Sequence, residues 1–196
     1  DCPGLNAVIR GVVLKGTTNY KIEFVGIRDG WRGVVDGDFF PLTRHEVKGL
    51  SKVGGTILGT ANRGRFSAKV GHGQVRALPR ELLDETQQGM QRLGVSALVS
   101  IGGDGSLSIA QQMHEHGIPI VGVPKTIDND VIPIHQSLGA WTAAEEGAHY
   151  FANVVSEHNA NPRMLIIHEV MGRNCGWLTA ATAEEYRKFM GTMNFL

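Results

Sequence analysis

Cysteine is scarce in this chain, with only Cys2 and Cys175 in 196 residues, far apart in sequence. No signal peptide and no long apolar segment accompanies them, so cytoplasmic residence is expected and a membrane partner is not. An excess of charge is missing too: Lys plus Arg number 19 and Asp plus Glu 19. No global field therefore favours nucleic acid or an acidic membrane, and any anion site has to be local. Glycine is abundant, 26 residues or about 13% against a usual ~7%, yet it follows no repeat period, which excludes collagen-like and low-complexity chains. A Walker motif is absent because Lys125-Thr126 follows Pro124 where that motif needs glycine. The run Gly103 to Ser108 ends in serine where the dinucleotide fingerprint needs glycine or alanine, so NAD binding is poorly supported. What remains is a chain with 42% hydrophobic content, enough to fill the core of one large domain or one and a part.

The informative stretch is 97 to 130. Two short apolar runs, Ala97 to Ile101 and Pro119 to Val123, read as strands, and each ends in residues a core would not choose: Gly102-Gly103-Asp104-Gly105-Ser106 and Pro124-Lys125-Thr126-Ile127-Asp128-Asn129-Asp130. Between them Leu107, Ile109, Ala110 and Met113 have near-helical spacing, with Ser106 as expected N-cap and Gly117 to Pro119 as the stop. Strand, glycine turn, helix and strand make a βαβ unit, and ligands of open α/β sheets sit beyond the carboxyl ends of such strands.

Gly103 and Gly105 lack a Cβ, so a ligand can approach the main chain, and the helix start favours an anion. Phosphate fits, but Asp104 would repel it unless a cation such as Mg²⁺ lay between, bound by one carboxylate and the phosphates. Lys125 offers a point charge, Thr126 a hydroxyl, and Asp128 and Asp130 two carboxylates, one of which could take a proton from an attacking alcohol. The plain alternative is a tight βα connection with Asp104 as a helix-end charge.

The combination GGDGS at 102–106, PKTIDND at 124–130 and Met171-Gly172-Arg173 within HEVMGRNCGW resembles the 6-phosphofructokinase family, and the resemblance extends from DCPGLNAVIRG to MGRNCGWLTAATA. GGDGS alone would not separate it from NAD kinases or lipid kinases, whereas TIDND and MGR disfavour both. The resemblance implies an α/β fold of Rossmann-like parallel-sheet layers with helices on both faces, and phosphoryl transfer to the 1-hydroxyl of fructose 6-phosphate. It implies Asp104 as the Mg²⁺ carboxylate, and Gly103, Gly105, Ser106 and Arg63 around the donor phosphates. Asp128 is the implied general base, with Lys125, Thr126 and Asp130 beside it. Arg163, Met171, Gly172 and Arg173 fall to the sugar phosphate, Arg163 across a subunit boundary, which requires a homo-oligomer, dimer or tetramer. For the donor, Gly105 points to ATP, because a carboxylate there in the family accompanies pyrophosphate use. Lys125 points the other way, matching pyrophosphate-dependent members.

Along the rest of the chain, Ala7 to Leu14 reads as a helix and Lys21 to Arg28 as a strand, while Thr43 and Glu46 have capping-box spacing. Arg63 and Arg65 have guanidinium forks suited to phosphate, although exposed arginines are common. Residues 66–77 read as a surface loop and Arg80 to Leu93 as a helix opened by Pro79. Irregular residues 131–134 place an expected boundary between a donor-phosphate domain, 1–134, and the start of a sugar-phosphate domain, 135–196. A helix from about Trp141 to His158, a buried strand over Arg163 to His168 and a helix over 177–190 follow. His168-Glu169 begins like a zinc-protease signature but lacks the second histidine, and Cys175 reads as a packed thiol. The missing first strand and the apolar last residues suggest a truncated chain. A non-catalytic nucleotide- or phosphate-binding fragment is the alternative from another class.

Overall fold

Asn6, Ile9 and Val13 stand three and four residues apart, and the helix this spacing asks for, α1 (Leu5–Lys15), buries all three. The computed structural model describes residues 2–61, 64–66, 69–70, 74–161, 163–172 and 175–191. They form two compact units, one of Gly4–Pro124 and one of the chain from Lys125 onward, to which Cys2 and Pro3 also belong. In the first unit the strand expected over 21–28 is confined to β1 (Val25–Ile27). α2 (Trp31–Asp36) then leads to β2 (Phe39–Pro41), which pairs antiparallel with β1. The capping-box pair forms: the Thr43 N–H donates to a Glu46 carboxylate oxygen at 2.9 Å, and the Thr43 hydroxyl donates to the same oxygen. That hydroxyl contact holds the Glu46 carboxyl below its ordinary pKa. A run of turns and a single 3-10 turn, Leu50–Lys52, follow it in place of an α-helix.

Residues 66–77, expected as loop, contain a small antiparallel pair, β3 (Lys69–Val70) with β4 (Gln74–Val75). α3 (Arg80–Arg92) follows Pro79 and buries Leu82, Thr86, Gly89 and Met90 on one face. Next come β5 (Leu98–Gly102), α4 (Asp104–Glu115) and β6 (Ile120–Pro124), with β5 and β6 parallel and in register from Leu98↔Ile120 to Gly102↔Pro124. Alternate residues of a strand face opposite sides. Leu98 accordingly joins Leu82, Met90, Ile109, Met113 and Ile118 in one core, while Ile101 packs against a second core of Ile9, Val13, Leu42, Val47 and Leu50. Helices thus lie on both faces of a parallel pair, an α/β arrangement as the sequence implies. Full burial of side chains such as Met113 or Leu82 stabilises by about 1.5–3 kcal/mol each. The pair is less enclosed than two apolar runs suggest, since Val99 and Val121, register partners, are 46% and 61% exposed.

In the second unit α5 (Ala140–Ala160) buries Ala140, Ala144 and Ala148 in one stripe, and α6 (Trp177–Met190) buries Leu178, Thr182 and Tyr186. Ring pairs run along their contact, Trp141 with Trp177 at 4.9 Å, Phe151 with Tyr186 at 5.0 Å and His149 with Phe189 at 5.1 Å, so the two helices are parallel. The strand expected over Arg163–His168 has the right alternation, with Met164, Ile166 and His168 half-buried, but no strand partner among the described residues. Leu165 and Ile167 are 76% and 87% exposed, which corrects the expectation of a buried strand. His168 is a packing residue, its ring against those of Tyr150 and Phe151. Among the described residues no helix is long and apolar enough to cross a membrane.

Gly89 decides how closely α3 meets α2, because a Cβ added there would lie 2.4 Å from the Val34 carbonyl oxygen. Gly→Ala inside a helix ordinarily gains about 1 kcal/mol. Here the contact is with backbone, which cannot rotate away, so Gly89→Ala should destabilise by about 1–3 kcal/mol and lower the urea midpoint. A raised midpoint would show that α2 yields without cost.

Candidate active site

In the Gly4–Pro124 unit the candidate residues lie in the turn between β5 and α4. α4 begins at Asp104 with Gly103 as the extended N-cap, three residues before the expected cap, Ser106. Its first ladder bond runs from the Leu107 N–H to the Gly103 carbonyl at 3.0 Å. The N–H groups of Asp104, Gly105 and Ser106 therefore precede the helix's own ladder, the condition for anion binding at a helix start. Asp104 is exposed in that first turn, and Gly105 and Ser106 are half-buried. Ser106 also has a packing role: a Cβ on Gly102 would come within 2.3 Å of the Ser106 Cβ. Gly102 is thus fixed by its own helix.

Arg63 lies outside the described residues. Its neighbour Arg65 grips Glu85 through both guanidinium ends, at 2.7 and 2.8 Å. Glu85 accounts for Arg65, and the Glu85 carboxyl is correspondingly held below its ordinary pKa by that contact. The residues before Arg63 are organised by Asn6, 2% exposed, which donates to the Val53 and Gly54 carbonyls and accepts from the Ile57 N–H.

In the other unit the candidate residues lie in the loop after β6. Lys125 and Leu138 form an isolated parallel bridge, and the Asp128 N–H donates to the Thr126 hydroxyl at 3.1 Å. The Cys175 thiol donates to the Asp128 carbonyl at 3.3 Å. Gly172, at φ 126°, approaches the same residue: a Cβ there would lie 2.4 Å from the Cys175 carbonyl and 3.8 Å from Asp128 Oδ1. The TIDND loop and the Met171-Gly172 turn are therefore brought together. Thr126 and Asp128 are half-buried, whereas Asp130 and Met171 are exposed. Arg173 lies outside the described residues. Arg163 is exposed at the head of the extended segment, and no described contact joins it to the loop. Asn129 and Ser137, neither of which stands out in the sequence as functional, close this loop. Asn129 sits at φ 53°, a conformation asparagine tolerates better than most side chains, so the Asp-Asn-Asp run did carry a turn signal. Ser137 carried none.

Among the described residues no three metal-ligating side chains cluster. One exposed carboxylate at a phosphate-suited helix start still fits a Mg²⁺ ion, which is commonly held by one or two carboxylates together with ligand phosphates.

The family model for phosphofructokinase matches residues 1–185. An α/β chain of this kind, with its two polar strand ends, belongs to the phosphofructokinase family. Among curated relatives, the pyrophosphate–fructose 6-phosphate 1-phosphotransferase of Methylomonas methanica is 44% identical over 207 residues, covering 99% of this chain and 50% of the relative. ATP-dependent 6-phosphofructokinase 3 of Streptomyces coelicolor is 38% identical over 181 residues, covering 91% and 49%. The chain thus spans about half the length of the curated relatives it matches. Of solved structures, phosphofructokinase from Saccharomyces cerevisiae superposes with a TM-score of 0.75 at 27% identity, over 93% of this chain and 26% of that one. The pyrophosphate-dependent phosphofructokinase from Marinobacter aquaeolei shares the fold, with a TM-score of 0.74 at 19% identity over 94% and 46%.

Cys2 lies against the far end of the same loop. Its thiol donates to the Leu138 carbonyl at 3.2 Å, and a Cβ on Gly139 would meet its sulfur at 2.3 Å. Burial pushes the Cys2 thiol up, opposed in part by the Lys125 ammonium. A raised native pKa means a stability contribution present below the unfolded thiol's pKa and lost as pH rises through the native one. At pH 8 iodoacetamide should therefore modify Cys175 at least about tenfold faster than Cys2, since only an accessible thiolate reacts. Peptide mass spectrometry would report this, and equal rates would contradict the packing of Cys2.

Proposed function

We propose that the full-length protein transfers the γ-phosphoryl group of ATP to the 1-hydroxyl of fructose 6-phosphate, giving fructose 1,6-bisphosphate and ADP. In this reading residues 1–134 bind the donor phosphates and 135–196 begin the sugar-phosphate domain. One observation carries it. The Asp128 peptide is held on both sides, by Thr126 and Cys175, while among the described residues no hydrogen bond ends on its carboxylate, which faces Gly172. A held but unengaged carboxylate suits a general base. Asp128 takes the proton of the sugar hydroxyl as that oxygen bonds to the γ-phosphorus and the bond to the ADP oxygen breaks. Thr126 and Asp130 orient the sugar hydroxyls, and Lys125 lends a point charge to the transferring group. Met171, Gly172 and Arg173 hold the sugar phosphate, with Arg163 reaching it in a neighbouring subunit. Gly103, Gly105 and Ser106 present backbone N–H groups to the donor phosphates with help from Arg63, and Asp104 supplies the carboxylate for Mg²⁺. The ion, when bound, neutralises phosphate charge.

Pyrophosphate as donor is the second reading, favoured by Lys125 and by the 44% identity to a relative named for pyrophosphate. A coupled assay offering ATP and pyrophosphate separately, with fructose 6-phosphate and Mg²⁺, decides between them. Turnover with neither would leave a phosphate-binding module.

Asp128→Ala should lower kcat by about 10²–10⁴-fold while ATP affinity by calorimetry stays within about twofold; retained turnover would remove Asp128 from the role of base. Gly105→Asp should depress kcat/KM for ATP on the order of 100-fold through bulk and like charge and spare pyrophosphate. An unchanged ATP rate would overturn the steric argument for the donor.

A further inference from the structure

We infer that Ser137 and Asn129 are positioning residues for Asp128, an inference that rests on the proposed phosphotransferase reading. Within the loop closed by the Lys125–Leu138 bridge, Ser137 is only 3% exposed. Its hydroxyl donates to the Thr126 carbonyl at 2.6 Å and lies 3.2 Å from Asn129 Oδ1. Its N–H donates to Asn129 Oδ1 at 2.9 Å, and Asn129 Nδ2 donates to the His135 carbonyl at 3.1 Å. The residue two before Asp128 and the residue one after it are thus tied to a single buried serine. With Thr126 and Asn129 both fixed, the backbone between them has little freedom, so the direction in which Asp128 leaves the chain is set. Asn129 adds a second constraint: its φ of 53° reverses the chain just past Asp128.

Neither residue touches a reacting atom. Each acts through the loop, and a displacement of about 1 Å at a reacting group is enough to cost roughly 100-fold in rate. A merely structural serine would change stability or all kinetic constants together. A positioning serine changes kcat far more than donor binding, because on the proposed reading most donor contacts, at Gly103, Asp104, Gly105 and Ser106, lie outside the loop.

The test uses the full-length protein in the coupled assay, with circular dichroism and thermal melting to establish folding. Ser137→Ala removes the hydroxyl, and Asn129→Gly keeps the left-handed backbone but removes the amide. Each should lower kcat by about 10- to 100-fold with the donor KM within about threefold, and Ser137→Thr, which retains the hydroxyl, should recover most of the loss. Wild-type kcat in both Ser137→Ala and Asn129→Gly overturns the inference, as does a parallel loss of kcat and donor binding in folded protein. Should Ser137→Ala fail to fold, Asn129→Gly decides alone. A wild-type protein inactive with both donors refutes the phosphotransferase reading itself. An active wild type, an inactive Asp128→Ala and a fully active Ser137→Ala and Asn129→Gly refute the positioning role only.

Discussion

A carboxylate that is to accept a proton makes a poor anchor for its own loop, because each lone pair spent on a local donor is withdrawn from the substrate. On the proposed reading, the loop after Pro124 meets this constraint by anchoring everything around Asp128 except its carboxylate. The Asp128 N–H goes to the Thr126 hydroxyl, its carbonyl to the Cys175 thiol, and the flanking residues to Ser137. Gly172 completes the arrangement by leaving room: with φ 126° and the Cys175 carbonyl 2.4 Å from where a Cβ would stand, only glycine fits there. The helix α5 carries the loop's far end, since Leu138 is bridged to Lys125 and the stripe Ala140, Ala144, Ala148 buries the start of that helix. Packing of small side chains thereby reaches the proposed base through a short covalent path.

In the Gly4–Pro124 unit, the corresponding constraint is that a helix must start beside a strand end without a side chain in the way. β5 is gripped from both faces, by the core around Met113 through Leu98 and by the core around Val13 through Ile101. Its last residue, Gly102, accepts Ser106 against it, which brings the first turn of α4 down onto the strand. The N–H groups of that turn are then presented by a rigid support, and preorganised dipoles of this kind lose little free energy to reorganisation when charge arrives. Asn6 does similar work on residues 53–57, satisfying three backbone groups from one buried amide.

Where periodicity and punctuation agreed, the sequence was sufficient. α6 occupies 177–190, the residues expected, because its buried positions recur every four residues between Gly176 and Gly191. The β5–α4–β6 unit was legible for the same reason. Arg163 to His168 shows the limit. Its alternation is real, yet a strand is a relation between two segments, and no composition of one segment supplies the other. The antiparallel pair of Lys69–Val70 with Gln74–Val75 was missed for the opposite reason: each strand is two residues long, too short for any period to register. Ser137 was invisible because a single buried serine between Gln136 and Leu138 has no pattern at all, and its importance lies in partners 8 and 11 residues away.

The two signals about the phosphoryl donor are of unequal kind. Lys125 contributes a positive charge at the head of the loop, and a point charge stabilises the phosphates of pyrophosphate and of ATP alike. It can raise the affinity for either donor without excluding one. Gly105 acts by what it lacks: a side chain in the first turn of α4 would occupy volume, and a carboxylate there would add like charge against a further phosphate. Specificity is a difference between two affinities, and it is set more sharply by what penalises the wrong ligand than by what attracts both. On the proposed reading, the absence of that penalty at Gly105 is what favours ATP, while the 44% identical relative is named for pyrophosphate and a 38% identical one for ATP. Overall identity averages over two cores, six α-helices among the described residues and their turns, whereas the proposed preference for ATP rests on one position, Gly105.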